Sequence, residues 1–321
     1  MSRYYIGVDL GGTKILTGAV NKKGKLVSHY KTPTYSEQGP EQVISRINKA
    51  IKKAIKEANL KKKDIDAIGI GAPGQIDTNK GVVIKAQNLK DWVNINLKKE
   101  VENAFNIKTF INNDVNMGTI GEFVKGAGKK SKNGIAIFIG TGIGGGIVIN
   151  NELYKGAGGY AGELGHVIID INSNKMCSCG NRGCFEVLAS RTALSENIVN
   201  EIKQGRKSIV TKLCENFTKH VKSKVISKAY EQNDLLTHEM IEKECFYIGV
   251  ALANYINVFN PDTIVLGGGL MEAMGHELLP KINRYTLEFA FTTSYKNCKI
   301  KVAALGDYSA IIGAAIYAKE M

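Results

Sequence analysis

Short apolar runs ending in glycine, asparagine or aspartate alternate along this chain with longer stretches whose apolar positions recur every three or four residues. The first kind predicts strands and the second helices. Residues 4–8 and 15–20 form a strand pair around the turn Asp9-Leu10-Gly11-Gly12-Thr13-Lys14, and 25–30 follows the turn Lys22-Lys23-Gly24. Pro40 opens a helix, because Val43, Ile44, Ile47, Ala50, Ile51 and Ala54 share one helical face. Strands at 66–71 and 107–111 end in Ala72-Pro73-Gly74 and Asn112-Asn113-Asp114, with a helix beyond the second. This alternation predicts an α/β protein.

The opening pattern then recurs. Residues 134–139 and 147–150 predict strands around Gly140-Thr141-Gly142-Ile143-Gly144-Gly145-Gly146, so the chain reads as an internal duplication. Residues 185–260 read as mostly helical, with a long periodic stretch at 241–259. A strand at 263–266 runs into Gly267-Gly268-Gly269 and a helix, then come a strand at 299–305 and a helix at 309–318.

A length of 321 residues suggests two domains, and a 44% hydrophobic share is ordinary for a globular chain. No apolar window approaches the roughly 18 residues of a membrane span. The start, Met1-Ser2-Arg3, has no leader pattern, so the expected location is the cytoplasm, with no membrane partner. The net charge is +13, but only six of the 43 basic residues are arginine, and the lysines form short runs such as Lys61-Lys62-Lys63. Nucleic-acid surfaces favour arginine interleaved with aromatics, so no nucleic-acid partner is expected.

The chemistry lies where strands end. Glycine turns let backbone N–H groups approach phosphate oxygens, and Thr13, Lys14 and Thr141 add side-chain donors. One such turn is ordinary. Three in one chain, two of them in matching repeats, point to a nucleotide. Asp9 beside the first turn suits Mg²⁺, directly or through water, although aspartate is also a common turn former. Asp114 is suited to accept a proton from an alcohol during phosphoryl transfer, and Asn113 to bind sugar hydroxyls. The same Asn113-Asp114 pair also reads as a helix cap, which is compatible with that role.

Cys177, Cys179 and Cys184 with His166 form a closed four-ligand set for a structural zinc; the other reading is a cluster of free thiols. Glu163, His166 and Glu186 then lie close together, as two carboxylates and an imidazole suited to adjacent pyranose hydroxyls. The lone Cys214, Cys245 and Cys298 read as ordinary apolar side chains.

These segments resemble the ROK family (repressors, open reading frames and sugar kinases) over essentially the whole length. They are Asp9–Lys14, Gly71–Gly74, Asn113–Asn116, the 140–146 turn, Gly162–His166 and Cys177–Glu186. The resemblance implies an actin-like, ribonuclease-H-like ATPase fold with two lobes and a cleft between them. It implies a small lobe of residues 1–115 plus 308–321, a large lobe of 116–307 carrying the zinc, and a homodimer or homotetramer.

It further implies Asp114 as the base, with Gly74, Asn88, Asn113, Glu163, His166 and Glu186 on the sugar. Asp9, Gly11, Gly12, Thr13, Lys14, Thr141 and Gly142 would serve ATP and Mg²⁺, and Gly268 would lie by the adenosine. Zinc would sit on His166, Cys177, Cys179 and Cys184.

Ala86-Gln87-Asn88-Leu89 with Trp92 is similar to the sugar-side loop of the family's bacterial glucokinases. The implied reaction is therefore transfer of the γ-phosphoryl group to O6 of glucose. The alternatives are an N-acetylglucosamine or N-acetylmannosamine kinase, a sugar-binding regulator, and a polyphosphate donor. Family repressors carry an N-terminal helix-turn-helix module, and none is expected here. Where the glucokinase pattern continues to Ser-Gly, this chain has Ser190-Arg191. Arg191 either reaches an anionic group or alters a loop.

Overall fold

The structure is a computed structural model that describes residues 3–215 and 221–321. Met1 and Ser2, where the no-leader reading begins, and 216–220, within the segment read as mostly helical, lie outside the described residues. The chain forms two compact units. The first is Met1–Lys130, Glu152–Ala161 and Asp307–Met321; the second is Ser131–Asn151 and Gly162–Gly306.

In the first unit, β1 (Tyr4–Leu10), β2 (Lys14–Asn21) and β3 (Leu26–Pro33) run antiparallel. A helix, α1 (Pro40–Glu57), leads to β4 (Ile65–Ala72). Three short strands follow, β5 (Gln75–Asp77), β6 (Val82–Lys85) and β7 (Val93–Ile95), and form a small sheet of their own. The chain then passes through α2 (Leu97–Phe105) and β8 (Lys108–Asn113) into α3 (Asp114–Lys125). The main sheet has the order β3-β2-β1-β4-β8, with β4 parallel to both β1 and β8.

Alternation along β1 sends Ile6, Val8 and Leu10 into a core with Val43, Ile47 and Ile51 of α1, and Tyr5 to the other face. There the C-terminal helix (Ser309–Glu320) lies directly on the sheet. A Cβ on Gly7 would stand 1.8 Å from the Ile311 carbonyl oxygen, and one on Gly69 1.9 Å from that of Ala314. Only glycine permits so close an approach. The same helix packs along α3, where Gly313 meets Met117 and Gly121 meets Ser309 backbone to backbone.

The second unit begins with the hairpin β9 (Gly134–Ile139) and β10 (Ile143–Ile149); the short β11 (Glu152–Leu153) follows in the chain. Helices α4 (Phe185–Ala189), α5 (Arg191–Lys203), α6 (Val210–Leu213), α7 (Ser223–Glu231) and α8 (Leu235–Phe259) precede β12 (Thr263–Gly267). Then come α9 (Gly269–Phe289), α10 (Thr292–Asn297) and β13 (Lys299–Val302). The strand order β10-β9-β12-β13, a hairpin followed by two parallel strands, repeats the order β2-β1-β4-β8 of the first unit.

Several boundaries differ from the sequence reading, two of them at glycine-rich or terminal strands of the second unit. The turn is only Gly140–Gly142, and Gly144–Gly146 belong to β10. Leu164 lies so close above Gly145 that a Cβ there would stand 2.6 Å from its Cδ1. The last strand ends at Val302, where its ladder to Leu266 ends.

The core of the second unit gathers around α8. Glu244 on that helix is buried, and neither carboxylate oxygen has a hydrogen-bond partner among the described residues. Burial pushes its pKa well above the ordinary value. No helix among the described residues is long and apolar enough to cross a membrane.

Candidate functional site

In the first unit the expected residues collect at the carboxyl ends of three neighbouring strands. Asp9 lies opposite Gly71 in the β1–β4 ladder, and Ala72 lies opposite Asn113 in the β4–β8 ladder. Asn113 caps α3: the N–H groups of Val115 and Asn116 donate to its Oδ1 at 2.9 and 3.2 Å. Its own Nδ2 donates to the Gly74 carbonyl at 3.4 Å. That cap fixes Asp114 as the first residue of the helix, so the cap role and a chemical role coexist.

Gly11 closes the first turn by donating to the Lys14 carbonyl at 2.9 Å. A Cβ on Gly12 would stand 3.0 Å from the Asn88 carbonyl oxygen, so the turn abuts the loop that carries Asn88. Within that loop Asn88 is exposed while Leu89 and Trp92 are buried. Trp92 therefore anchors the loop rather than facing a ligand.

Lys14 Nζ sits 2.5 Å from Asp307 Oδ1, and Lys31 reaches the other oxygen at 3.5 Å. The Lys14 hydrogen bond holds the Asp307 carboxyl below its ordinary range. Sequence reasoning missed Asp307. The only local signal was an acid just before the final helix.

Asp9 behaves differently. Desolvation at the strand end, and then the negative charge of Asp114, push its pKa up to about 7. A carboxyl with a raised pKa favours the folded state while protonated. Stability is therefore fullest below the unfolded value near 4 and declines as pH rises through about 7. We expect Asp9→Asn to remove this decline. Without nucleotide or divalent ions, the wild-type melting temperature should fall about 3–6 °C more than the variant's between pH 5 and pH 8. Equal pH dependence in the two proteins would contradict the shift.

In the second unit the 140–142 turn is held from two sides. The Ile143 N–H donates to Glu186 Oε2 at 2.8 Å, and a Cβ on Gly142 would stand 2.3 Å from that oxygen. Opposite, Arg191 N–H donates to the Gly140 carbonyl at 3.1 Å and Arg191 Nη2 to Thr141 Oγ1 at 2.9 Å. Gly268 immediately precedes α9 at φ +86°, and a Cβ there would stand 2.6 Å from the Ile139 carbonyl oxygen. The third glycine turn thus borders the second.

Glu186 is two residues past Cys184, and Cys184 opens α4. The ligand atoms of His166, Cys177, Cys179 and Cys184 all lie within 4.8 Å of one another. His166 Nδ1 is 3.4 Å from Cys177 Sγ, and Cys179 Sγ is 3.7 Å from Cys184 Sγ. A tetrahedral zinc with ordinary bond lengths has edges of about 3.5 Å between nitrogen and sulfur and about 3.8 Å between sulfurs. The donor set fits that ion.

The backbone shapes the cluster. Cys177 N–H donates to the Asn181 carbonyl at 2.8 Å, and Gly180 N–H to the Cys177 carbonyl at 3.0 Å. The other His166 nitrogen, Nε2, lies 3.9 Å from Glu163 Oε2, so one ring joins the cluster to the exposed Glu163. Beneath it, the buried Tyr255 hydroxyl donates to the Leu164 carbonyl at 2.6 Å. Tyr255 was not foreseen, because its partner lies 91 residues away.

The sequence profile of the ROK family matches residues 5–321. A glucokinase of Halalkalibacterium halodurans is 32% identical over 320 residues, covering 99% of this chain and 96% of its own. A xylose repressor of Caldicellulosiruptor bescii is 33% identical over 308 residues, covering 96% of this chain and 76% of the repressor. A solved ROK family glucokinase from Streptomyces griseus, in complex with glucose and AMPPNP, has a TM-score of 0.86 at 30% identity. It covers 99% of this chain and 100% of that one. The α/β architecture, with a mixed sheet in each unit, is the actin-like ATPase fold expected from the sequence.

Proposed function

The chain belongs to the ROK family, and from that premise we propose that it is an ATP-dependent hexose kinase transferring the γ-phosphoryl group to O6 of glucose. The observation that carries this reading is the grouping within one unit of Asp114, Asp9 and the Gly11–Lys14 turn. Together they supply an acceptor for a proton, a carboxylate for a divalent cation and donors for phosphate oxygens. The similarity to a glucokinase that binds glucose and AMPPNP supports both the sugar and the nucleotide.

Asp114 takes the proton of the attacking hydroxyl as the phosphoryl group arrives. In the first unit Asn113, Asn88 and the Gly74 backbone would orient the sugar. In the second, Glu163 and Glu186 would accept from sugar hydroxyls, and the His166 Nε2–H, with Nδ1 turned to the cysteine cluster, would donate to one. Backbone N–H groups of Gly12 and Gly142, with Thr13, Lys14 and Thr141, neutralise charge on the donor phosphates around the turn that Gly11 closes. Gly268 leaves room for the adenosine. Asp9 would hold Mg²⁺, which supplies charge neutralisation when bound. The His166, Cys177, Cys179 and Cys184 set would hold a structural zinc, and six cysteines outside any disulfide suit a cytoplasmic protein.

Similarity to a xylose repressor favours a second reading, a sugar-binding regulator without turnover. ADP release with Mg-ATP across glucose, mannose, fructose, xylose, N-acetylglucosamine and N-acetylmannosamine separates the two. We expect kcat/KM for glucose to exceed that for every other sugar in the panel. Turnover only on an acetylated sugar would move the substrate, and binding without turnover on any sugar would favour the regulator.

A further inference from the structure

Arg191 is the first residue of α5, where Ser190 Oγ caps the helix by accepting from the Ala193 N–H at 3.1 Å. The positive end of a helix disfavours a cation. The first turn carries no acid, and among the described residues no carboxylate lies within ion-pair distance of the guanidinium. The helix gains nothing from this charge.

The charge is nevertheless fixed in place. Arg191 N–H is bound to the Gly140 carbonyl and Nη2 to Thr141 Oγ1, while Thr192 Oγ1 donates to the Thr141 carbonyl at 2.7 Å. Three bonds thus attach one helix end to a three-residue turn. Because Thr141 Oγ1 accepts from the guanidinium, its own proton is available to an outside acceptor. The remaining guanidinium N–H groups likewise have no partner among the described residues. The nearest acid of the turn, Glu186, has its Oε2 on the Ile143 N–H. The turn therefore presents a hydroxyl donor together with a fixed cation that has no ion-pair partner among the described residues, a combination that recognises phosphoryl oxygens.

We propose that Arg191 is a donor-recognition residue: with Thr141 it contacts phosphoryl oxygens of a polyphosphate chain held at the Gly140–Gly142 turn. This rests on the kinase reading of that turn. A nucleoside triphosphate and linear inorganic polyphosphate share the required chemistry.

Calorimetric titrations with AMPPNP and with inorganic tripolyphosphate test the proposal without turnover, and steady-state kinetics accompany them. Arg191→Gln keeps an N–H donor for Thr141 but loses the charge; Arg191→Lys keeps the charge. We expect the Gln variant to weaken binding of the wild type's anionic ligand about 10–100-fold, with the KM for sugar within about twofold. The Lys variant should recover part of the loss. A loss for AMPPNP alone assigns the contact to a nucleotide. A loss for both assigns it to any polyphosphate chain. Wild-type affinity of the Gln variant for both anions would overturn the proposal. Arg191-dependent anion binding in a protein that turns over no sugar would sink the kinase reading instead.

Discussion

Replacing Asp114 by Asn should lower kcat about 10²–10⁴-fold, the range a positioned general base contributes. Asn113 Oδ1 accepts from both Val115 and Asn116, and the second acceptor for the Val115 N–H, Asp114 Oδ1 at 3.0 Å, is kept by the amide oxygen, so the helix should survive the change. The amide is the same size as the carboxyl and can still hydrogen-bond a hydroxyl. The sugar Kd should therefore stay within about threefold, and the loss should fall on kcat. The variant also removes the negative charge that helps raise the Asp9 pKa, so Asp9 should titrate lower than in the wild type. Steady-state kinetics with calorimetric sugar binding check both halves. A kcat within about tenfold of wild type would remove Asp114 from the proton transfer.

Loss of the metal from the His166–Cys184 cluster should be the largest effect on stability. Cys184 is fully buried and Cys177 nearly so. Without an ion, burial and the neighbouring thiols push the Cys184 thiol up to about 12, so a metal must displace a bound proton. An ion present at a thousandfold excess over its Kd stabilises by about 4 kcal/mol, or about 10 °C of melting temperature in a chain of this size. We expect one zinc per chain by metal analysis, and a fall of about that size on chelation or in Cys184→Ser. Sugar affinity should fall with it, because His166 links the cluster to Glu163. A purified protein without metal, or an unchanged melting temperature in Cys184→Ser, would contradict the assignment.

What was legible in the sequence was what local chemistry dictates. The cysteine run, the glycine turns at strand ends and the Asn113-Asp114 cap are all set by near neighbours. The doubled hairpin was legible because the same apolar-glycine-apolar pattern occurs twice. Illegible features depend on contacts distant in the chain. Gly144–Gly146 read as turn, yet they are strand, and at Gly145 Leu164 occupies the space a side chain would fill. The small sheet β5–β7 was missed because strands of three or four residues carry too little alternation. Asp307 finds Lys14 across 293 residues of sequence. Arg191 was noticed only as a departure, and its place on Thr141 required the fold.

The most direct test of the central claim is phosphorus NMR of the purified protein incubated with Mg-ATP and glucose. The account predicts a new phosphomonoester resonance coupled to the C6 methylene protons, growing as ADP appears. ATP that stays intact while glucose and nucleotide both bind would contradict it.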